Sequence, residues 1–319
     1  MGAVRDIPGD MLIGADYAAY LRETEPEAKL IDAGAFREAF KAQRQAQKVR
    51  AASLPWSKTD GLLAFRPAEV TEWVGPRGHG KSMVLSQTVL ALLSQGEKAA
   101  ILSFEMTPQR QLERFARQFA ACAEPTDAAV DAMFDWLTGR LWFYNQQGRV
   151  HPATVLAVTK YAAERKGATH VVIDSLMKVV RGADDYNAQK DFANDLCTAA
   201  QDYGPHVHLV HHTRKIGDDS RIPSVDDSKG GGEVPDQVDN ILIVWRNKPK
   251  EVLQAKYDQG RPLNEKELAQ LDGPDCILAC EKQRHGEWEG RTALWFHKPS
   301  FQYCPDAMRR PVNYLSLVR

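Results

Sequence analysis

Residues 75–82 read Gly-Pro-Arg-Gly-His-Gly-Lys-Ser and match the phosphate-binding pattern G-x-x-x-x-G-K-[ST] at every fixed position. In this pattern the loop backbone surrounds the phosphates, Lys81 reaches the terminal phosphates, and the Ser82 hydroxyl ligates Mg²⁺. The alternative is a glycine-rich turn without a ligand, but the apolar run before the loop and the helical pattern after it favour binding. We therefore predict Mg²⁺ and ATP, or another ribo- or deoxynucleoside triphosphate, in contact with Gly75, Pro76, Arg77, Gly78, His79, Gly80, Lys81 and Ser82.

Two further apolar runs each end in a carboxylate. Residues 171–175 read Val-Val-Ile-Asp-Ser, and residues 101–106 read Ile-Leu-Ser-Phe-Glu-Met. Because ligands of open α/β sheets bind at the carboxyl ends of strands, we expect Asp174 to hold Mg²⁺ beside Ser82. Glu105 is then the candidate that orients and deprotonates the water attacking the γ-phosphate. The alternatives are a turn-capping role for Asp174 and, for Glu105, an acid stabilised by the following helix dipole.

A histidine and several basic residues follow another predicted strand. His212 is a candidate sensor of the γ-phosphate, although an isolated histidine at a strand end also serves structural roles. Residues 216–235 are glycine-rich and charged, without hydrophobic periodicity, which is typical of a functional or disordered loop. The basic residues in and before this loop suit contacts with a phosphate backbone, and a solvated surface loop is the alternative. They are Arg214, Lys215, Arg221 and Lys229.

Strand and helix patterns alternate from residue 62 onward, which predicts an α/β fold with a mostly parallel central sheet flanked by helices. The predicted strands cover 72–74, 99–104, 141–144, 170–174, 207–211, 241–245, 276–280 and 294–297, the last two as an antiparallel pair. The predicted helices cover 83–93, 108–121, 152–166 and 188–203. This order carries the loop and both carboxylates toward one edge of the sheet.

Residues 1–55 differ from the rest and predict an N-terminal helical arm or linker, followed by an ATPase domain over 56–319. The helical pattern covers 32–44 and places Phe36 and Phe40 on one face. An arm of this length cannot form its own core. The helix is therefore expected to pack either on its own domain or on a neighbouring subunit.

Bulk composition excludes several classes of protein. The 319 residues hold 41 Lys and Arg against 42 Asp and Glu, so any nucleic-acid contact must come from a few placed basic residues. Five cysteines without C-x-x-C spacing argue against a zinc site and for a reducing compartment. No stretch approaches the roughly 18 apolar residues of a membrane span, and residues 1–10 lack an apolar signal core. We expect a cytoplasmic protein without a membrane partner.

Residues 280–290, Cys-Glu-Lys-Gln-Arg-His-Gly-Glu-Trp-Glu-Gly, add a further ordered motif. Together with the phosphate-binding loop and the segments around Glu105, Asp174 and His212, this motif resembles hexameric replicative DNA helicases with a RecA-like core. That family includes bacterial DnaB, phage primase-helicases and mitochondrial Twinkle, and the resemblance covers about residues 55–303. It implies that Lys282 and Arg284 project into the neighbouring subunit's ATP site, with Arg284 as an arginine finger. It also implies that Tyr303, which follows the hairpin where the family places an aromatic residue, stacks on the base.

The resemblance implies an ATP-driven helicase motor that forms a homo-hexameric ring on single-stranded DNA, in a bacterial or phage-infected cell. A separate primase, polymerase or loader is an expected partner. The implied DNA loop carries Lys229 and Gly230, Gly231 and Gly232 where the family usually has an Arg and Gly-Ser-Gly, and Lys178 and Arg181 form a second candidate contact. The alternatives are a filament-forming recombination or repair ATPase with the same core and a non-motor loader or scaffold.

Overall fold

The structure, a computed structural model, describes residues 31–38, 40–41, 52–180, 185–213, 221–227 and 233–318. The chain divides into two compact units, Met1–Ala51 and Ala52–Arg319. In the first unit a 3₁₀-helix covers Ala33–Phe36, and its N-cap Asp32 accepts a hydrogen bond from the Gly34 N–H at 2.8 Å. Phe36 and Phe40 are 52% and 58% exposed within this unit. The described residues 33–38 and 40–41 are helical, starting with the 3₁₀-helix, so the helix predicted over 32–44 is seen in part.

The second unit contains a nine-stranded sheet with the order β3-β2-β4-β5-β1-β6-β7-β8-β9. Every strand except the short β3 contains residues buried against the core. The strands are β1 (Val70–Val74), β2 (Ala99–Ser103), β3 (Leu141–Phe143), β4 (His170–Asp174), β5 (His206–Val210), β6 (Asn240–Arg246), β7 (Cys276–Gln283), β8 (Gly290–His297) and β9 (Gln302–Cys304).

Strands β1 to β6 run parallel, with Glu72 opposite both Leu209 of β5 and Ile241 of β6. Strands β7, β8 and β9 then continue the sheet in antiparallel pairs. We call the side where the parallel strands end the carboxyl edge and the opposite side the amino edge. Because β7 runs antiparallel to β6, the end of β7 lies at the amino edge, with Gln283 opposite Asn240.

Helices cover both faces of the sheet, so the core has two layers. Trp73, Leu90 and Phe115 belong to the cluster on one face, and Ile173 and Phe192 belong to the cluster on the other. The helices are α1 (Lys81–Ser94), α2 (Pro108–Ala120), α3 (Asp127–Leu137), α4 (Pro152–Lys166), α5 (Leu176–Val179), α6 (Tyr186–Tyr203), α7 (Glu233–Gln237), α8 (Lys248–Asp258) and α9 (Glu265–Asp272).

The helix boundaries follow local capping chemistry. The Thr107 hydroxyl caps the start of α2, with Pro108 at the first helical position, and the Asp185 carboxylate caps α6. Gly167 and Gly204 end α4 and α6 in the left-handed region, which glycine enters without a side-chain clash. Among the described helices, none combines the length and the apolar character that crossing a bilayer requires.

All eight predicted strands and all four predicted helices of this unit are confirmed, with bounds shifted by up to four residues. The predicted α/β fold with a mostly parallel sheet is thereby confirmed. The sequence did not predict α3, α5, α8, α9 or β9. Helix α3 buries only Ala129, Met133 and Leu137, and α9 buries no residue, so few buried apolar positions mark them.

Candidate functional site

The phosphate-binding loop lies at the carboxyl edge between β1 and α1. The Lys81 ammonium donates to the carbonyl oxygens of Gly75 and Pro76 at 2.6 and 3.0 Å, which turns the side chain back over the loop. Burial lowers the pKa of Lys81 to about 8, so the charge survives at neutral pH. Gly80 has a φ of 86°, and a Cβ there would lie 2.6 Å from the Tyr303 hydroxyl. Glycine at position 80 therefore allows the tight turn of the loop, and the loop fits a phosphate group.

The outer part of the loop is held by the end of β6. His79 is buried and its Nδ1 accepts a hydrogen bond from the Arg246 backbone N–H at 3.1 Å, whereas Arg77 and Gly78 are exposed. The Arg246 guanidinium is 3.4 Å from the Gly78 carbonyl oxygen and pairs with Glu251. Arg246 was not among the predicted site residues, although the sequence shows it as a charged residue at the carboxyl end of a buried strand.

Two oxygen ligands meet beside the loop. The Ser82 hydroxyl donates to Asp174 Oδ2 at 2.7 Å, so the two predicted Mg²⁺ ligands are in direct contact. Asp174 is 8% exposed, and burial raises the pKa of its carboxyl group. A hydroxyl and a buried carboxylate are hard oxygen donors, and a divalent cation would offset the buried negative charge, so these residues fit Mg²⁺. Arg114, which the sequence analysis also missed, donates to the Ser82 carbonyl oxygen at 2.8 Å.

Glu105 lies next to this pair, just beyond the end of β2. Its Oε1 is 3.8 Å from His212 Nε2 and accepts a hydrogen bond from the Ser175 hydroxyl at 3.0 Å. The His212 contact, reinforced by Ser175 and Lys178, lowers the pKa of Glu105 to about 2. Glu105 is therefore ionised at neutral pH but only weakly basic, which suits it to orienting a water molecule.

His212 is mostly buried, and burial lowers its pKa, so the ring is neutral at pH 7. The next residue, Thr213, donates its N–H to the Gly75 carbonyl oxygen at 3.2 Å. On the other side His211 forms a fully buried 2.6 Å contact with Glu72 of β1. The strand end that carries His212 is thus fixed to β1 and to the phosphate-binding loop.

Lys282 and Arg284 lie at the amino edge, on the end of β7 and just after it. The Lys282 ammonium donates to the Pro235 carbonyl oxygen at 2.7 Å, and Arg284 pairs with Asp239 at 3.2 Å. Within this chain the structure does not bring these two cations to the residues around the loop.

Tyr303 is 5% exposed, and its hydroxyl lies against Gly80 under the loop. Its ring packs against Phe296 with centroids 5.0 Å apart. This burial favours support of the loop over stacking on a base, so base stacking by Tyr303 stays a prediction that the geometry does not favour. Lys178 is partly buried in α5, beside Glu105. Arg221, the other described candidate, pairs with Asp227 at 2.8 Å. The remaining predicted DNA-binding residues lie outside the described residues: Arg181, Arg214, Lys215, Lys229, Gly230, Gly231 and Gly232.

Comparison with known proteins agrees with this architecture. The solved ATPase domain of another protein matches with a TM-score of 0.66 and 15% sequence identity, covering 86% of this chain and 99% of that one. A structure of a DnaB-like replicative helicase and its interactions with primase matches with a TM-score of 0.64 and 14% identity, covering 91% of this chain and 71% of that one. The resemblance to replicative helicases is confirmed at the level of the fold.

A family model described as an AAA domain matches residues 42–218, more than half of the chain. The matched range contains the phosphate-binding loop, Glu105, Asp174 and His212. The chain therefore belongs to the AAA domain family, with the fold of the ATPase domains of replicative helicases.

Proposed function

We propose that this chain is an ATP-driven motor of the replicative helicase type, which forms a ring and moves along single-stranded DNA. One observation carries the proposal. The residues that can bind and activate a nucleotide lie at the carboxyl edge, whereas Lys282 and Arg284 lie at the amino edge. Because one chain cannot bring the two sets together across its own sheet, we assign the cations to a nucleotide held by a neighbouring copy.

Four residues act within the chain that holds the nucleotide. Lys81 offsets the charge of the terminal phosphates, and Ser82 and Asp174 hold Mg²⁺. Bound Mg²⁺ supplies charge neutralisation between the phosphates. Glu105 orients the attacking water, because a carboxylate with a pKa of about 2 accepts hydrogen bonds at neutral pH but is a weak base.

Arg284 and Lys282 act on the neighbour's nucleotide. An arginine is always charged at neutral pH and offers five N–H donors, so Arg284 suits the charge that develops on a transferring phosphoryl group. Lys282 adds a second positive charge from the same strand end. Turnover then requires an assembled ring, while nucleotide binding requires only one chain.

His212 links the nucleotide to DNA. It lies beside Glu105, and the Thr213 N–H is bonded to the phosphate-binding loop, so a change at the γ-phosphate reaches the segment that follows. That segment contains Arg214, Lys215, Lys229 and residues 230–232, to which we assign contacts with single-stranded DNA. Lys178 and Arg181 form the second contact.

The test is a mixing experiment with two full-length variants. Arg284→Ala removes the donated cation, and Glu105→Gln disables the chain that holds the nucleotide, so each alone should turn over ATP very slowly. In mixed rings, an intact site of an Arg284→Ala chain can receive Arg284 from a Glu105→Gln neighbour, and turnover should reappear. Full activity of Arg284→Ala alone, or no recovery on mixing, would refute the shared site.

Two measurements separate this proposal from its rivals. A motor should show DNA-stimulated hydrolysis and displace a strand from a forked duplex, whereas a loader or scaffold should turn over slowly and displace nothing. Electron microscopy with a non-hydrolysable ATP analogue and single-stranded DNA should show closed rings, and filaments would favour a recombination or repair ATPase. A separate primase, polymerase or loader and a cytoplasmic location remain parts of the proposal.

A further inference from the structure

We propose that Asp239 is a positioning residue for Arg284, which it holds oriented for donation to the neighbour's nucleotide. The inference rests on the proposed function, because it assumes that Arg284 acts across a subunit boundary. It gives a role to Asp239, which is not among the predicted site residues. Asp239 lies at the amino edge, between the end of α7 at Gln237 and the start of β6 at Asn240.

Asp239 is itself fixed by β1. Its N–H donates to the Val70 carbonyl oxygen at 3.0 Å, and its Oδ2 accepts a hydrogen bond from the Val70 N–H at 2.9 Å. The side chain is almost fully buried, with 6% of the residue exposed. One hydrogen bond to the central strand holds the carboxylate and a second holds the backbone of Asp239, so the residue has little freedom to move.

From this anchor Asp239 holds Arg284 twice. The Asp239 carbonyl oxygen accepts a hydrogen bond from the Arg284 N–H at 2.8 Å, and Oδ1 lies 3.2 Å from Arg284 Nη1. The first contact fixes the backbone of Arg284, and the second fixes its guanidinium. Asp239 makes both contacts, and it need not itself touch a substrate or a partner chain.

The guanidinium also rests on the end of α7. Its Nη2 is 3.3 and 3.4 Å from the carbonyl oxygens of Asp236 and Gln237, while Lys282 donates to the Pro235 carbonyl oxygen. Cations are favoured at a helix C-terminus. Because Arg284 remains 42% exposed and has five N–H donors, part of the group is still directed to solvent and can meet a phosphate.

The physical advantage of these contacts is that the Arg284 guanidinium is already oriented before the reaction. A free arginine side chain samples many rotamers, and fixing it costs conformational entropy. Groups already aimed at the developing charge stabilise a transition state without that reorganisation. Loss of the Asp239 contact should therefore slow turnover and leave nucleotide binding, which depends on the carboxyl edge, unchanged.

The substitution Asp239→Asn tests this, because the amide oxygen can still accept from the Val70 N–H while the charge that pairs with Arg284 is lost. We expect kcat to fall by about 10- to 100-fold, the range for a hydrogen bond to a charged group, with KM for ATP unchanged. The matched control is Asp236→Asn at the exposed end of α7, where only the backbone carbonyl contacts Arg284. That variant should stay within twofold of the wild type.

A mixing experiment distinguishes a positioning role of Asp239 from general damage to the structure of the variant. In rings that combine Asp239→Asn with Glu105→Gln chains, an intact Arg284 reaches the Asp239→Asn chain's own site, and turnover should recover. A wild-type or raised turnover of Asp239→Asn alone overturns the inference, as does a loss that mixing with Glu105→Gln does not restore. If Arg284→Ala also fails to complement Glu105→Gln, the proposed function itself is wrong, so the two failures are separable.

Discussion

The two edges of the sheet differ in how their polar groups are partnered. At the carboxyl edge, side chains contact one another: Ser82 bonds to Asp174, and Glu105 contacts both Ser175 and His212. At the amino edge, the cations of Lys282 and Arg284 rest on backbone carbonyl oxygens and on one carboxylate. The first arrangement has the side chains that the proposed nucleotide site needs. Among the described residues, the second is a pair of charges that meets none of those side chains, so under the proposed function binding and turnover have different requirements.

We expect the largest effect from removing the Arg284 side chain at the amino edge. Arg284→Ala should lower the turnover of the assembled protein on the order of 10³-fold or more, the scale for an arginine finger. Nucleotide affinity, measured with a fluorescent ATP analogue, should stay the same because Lys81 and the loop lie at the other edge. The control is Arg291→Ala on the exposed side of β8, which should keep wild-type turnover. A matched loss of affinity and turnover in Arg284→Ala would contradict the division between the edges.

Three buried histidines lie on neighbouring strands toward the amino edge. The Trp73 indole N–H donates to His208 Nδ1 at 3.2 Å, so His208 keeps its proton on Nε2, which lies 3.2 Å from His170 Nδ1. His206 lies between Thr71 and the Arg66 carbonyl oxygen. Burial lowers the pKa of all three, that of His206 to about 4. Each ring is therefore neutral in the folded protein.

These histidines predict acid sensitivity. In the unfolded chain these histidines take up protons below about pH 6.5, whereas in the folded chain they stay neutral to lower pH. Their contribution to the free energy of unfolding is therefore fully present above about pH 6.5 and is lost as the pH falls. Each ring contributes a loss of up to about 1.4 kcal/mol per pH unit, which for His206 continues down to about pH 4. Urea unfolding at several pH values measures the slope. His206→Gln should reduce the slope between about pH 6.5 and 4 by up to about 1.4 kcal/mol per pH unit, and the exposed His285→Gln is the control. The same slope in His206→Gln and the wild type would contradict this prediction.

A smaller effect should follow from filling the phosphate-binding loop. Gly80→Ala forces a left-handed alanine and brings its Cβ to within 2.6 Å of the Tyr303 hydroxyl. A strain of about 1–3 kcal/mol corresponds to roughly a 5- to 150-fold loss of nucleotide affinity if it falls on the binding conformation. The double variant Gly80→Ala with Tyr303→Phe should recover part of this loss, which equilibrium binding would report.

Gly96→Ala is the matched control for that experiment. Gly96 also has a positive φ, of 96°, but a Cβ there meets nothing within 4 Å, so only the backbone strain remains. It should cost stability without changing nucleotide affinity. Tyr303→Phe alone should bind nucleotide like the wild type. If no recovery occurs in the double variant, Tyr303 does not determine the shape of the loop.

The sequence predicted the carboxyl edge well because its signals are local. A buried strand ending in Asp174 or Glu105, and a glycine pattern before Lys81, can be recognised in a few consecutive residues. The contacts of Arg114 and Arg246 depend on helix rotation and strand pairing, which no short segment encodes. They were missed for that reason, although each residue stands near a predicted motif.

The amino edge was predicted in part. The antiparallel pair of β7 and β8 follows from alternating patterns, but the antiparallel pairing of β7 with β6, which sets the edge where Arg284 lies, does not. Nothing in the sequence connected Asp239, a charged residue ahead of a strand, with Arg284. Helices α8 and α9 were missed because their mostly exposed surfaces need little apolar periodicity.

The smallest expected effect concerns Lys178, which is a predicted DNA contact and also lowers the pKa of Glu105. If it binds a phosphate of single-stranded DNA, Lys178→Gln should weaken binding a fewfold and reduce the log–log salt slope by about 0.7, the value for one counterion. Fluorescence anisotropy across salt concentrations measures both. If the slope is unchanged and only the acid limb of ATP turnover moves upward in pH, Lys178 acts on Glu105 and not on DNA. The DNA contacts would then have to come from the other predicted residues, those around 214 and 229.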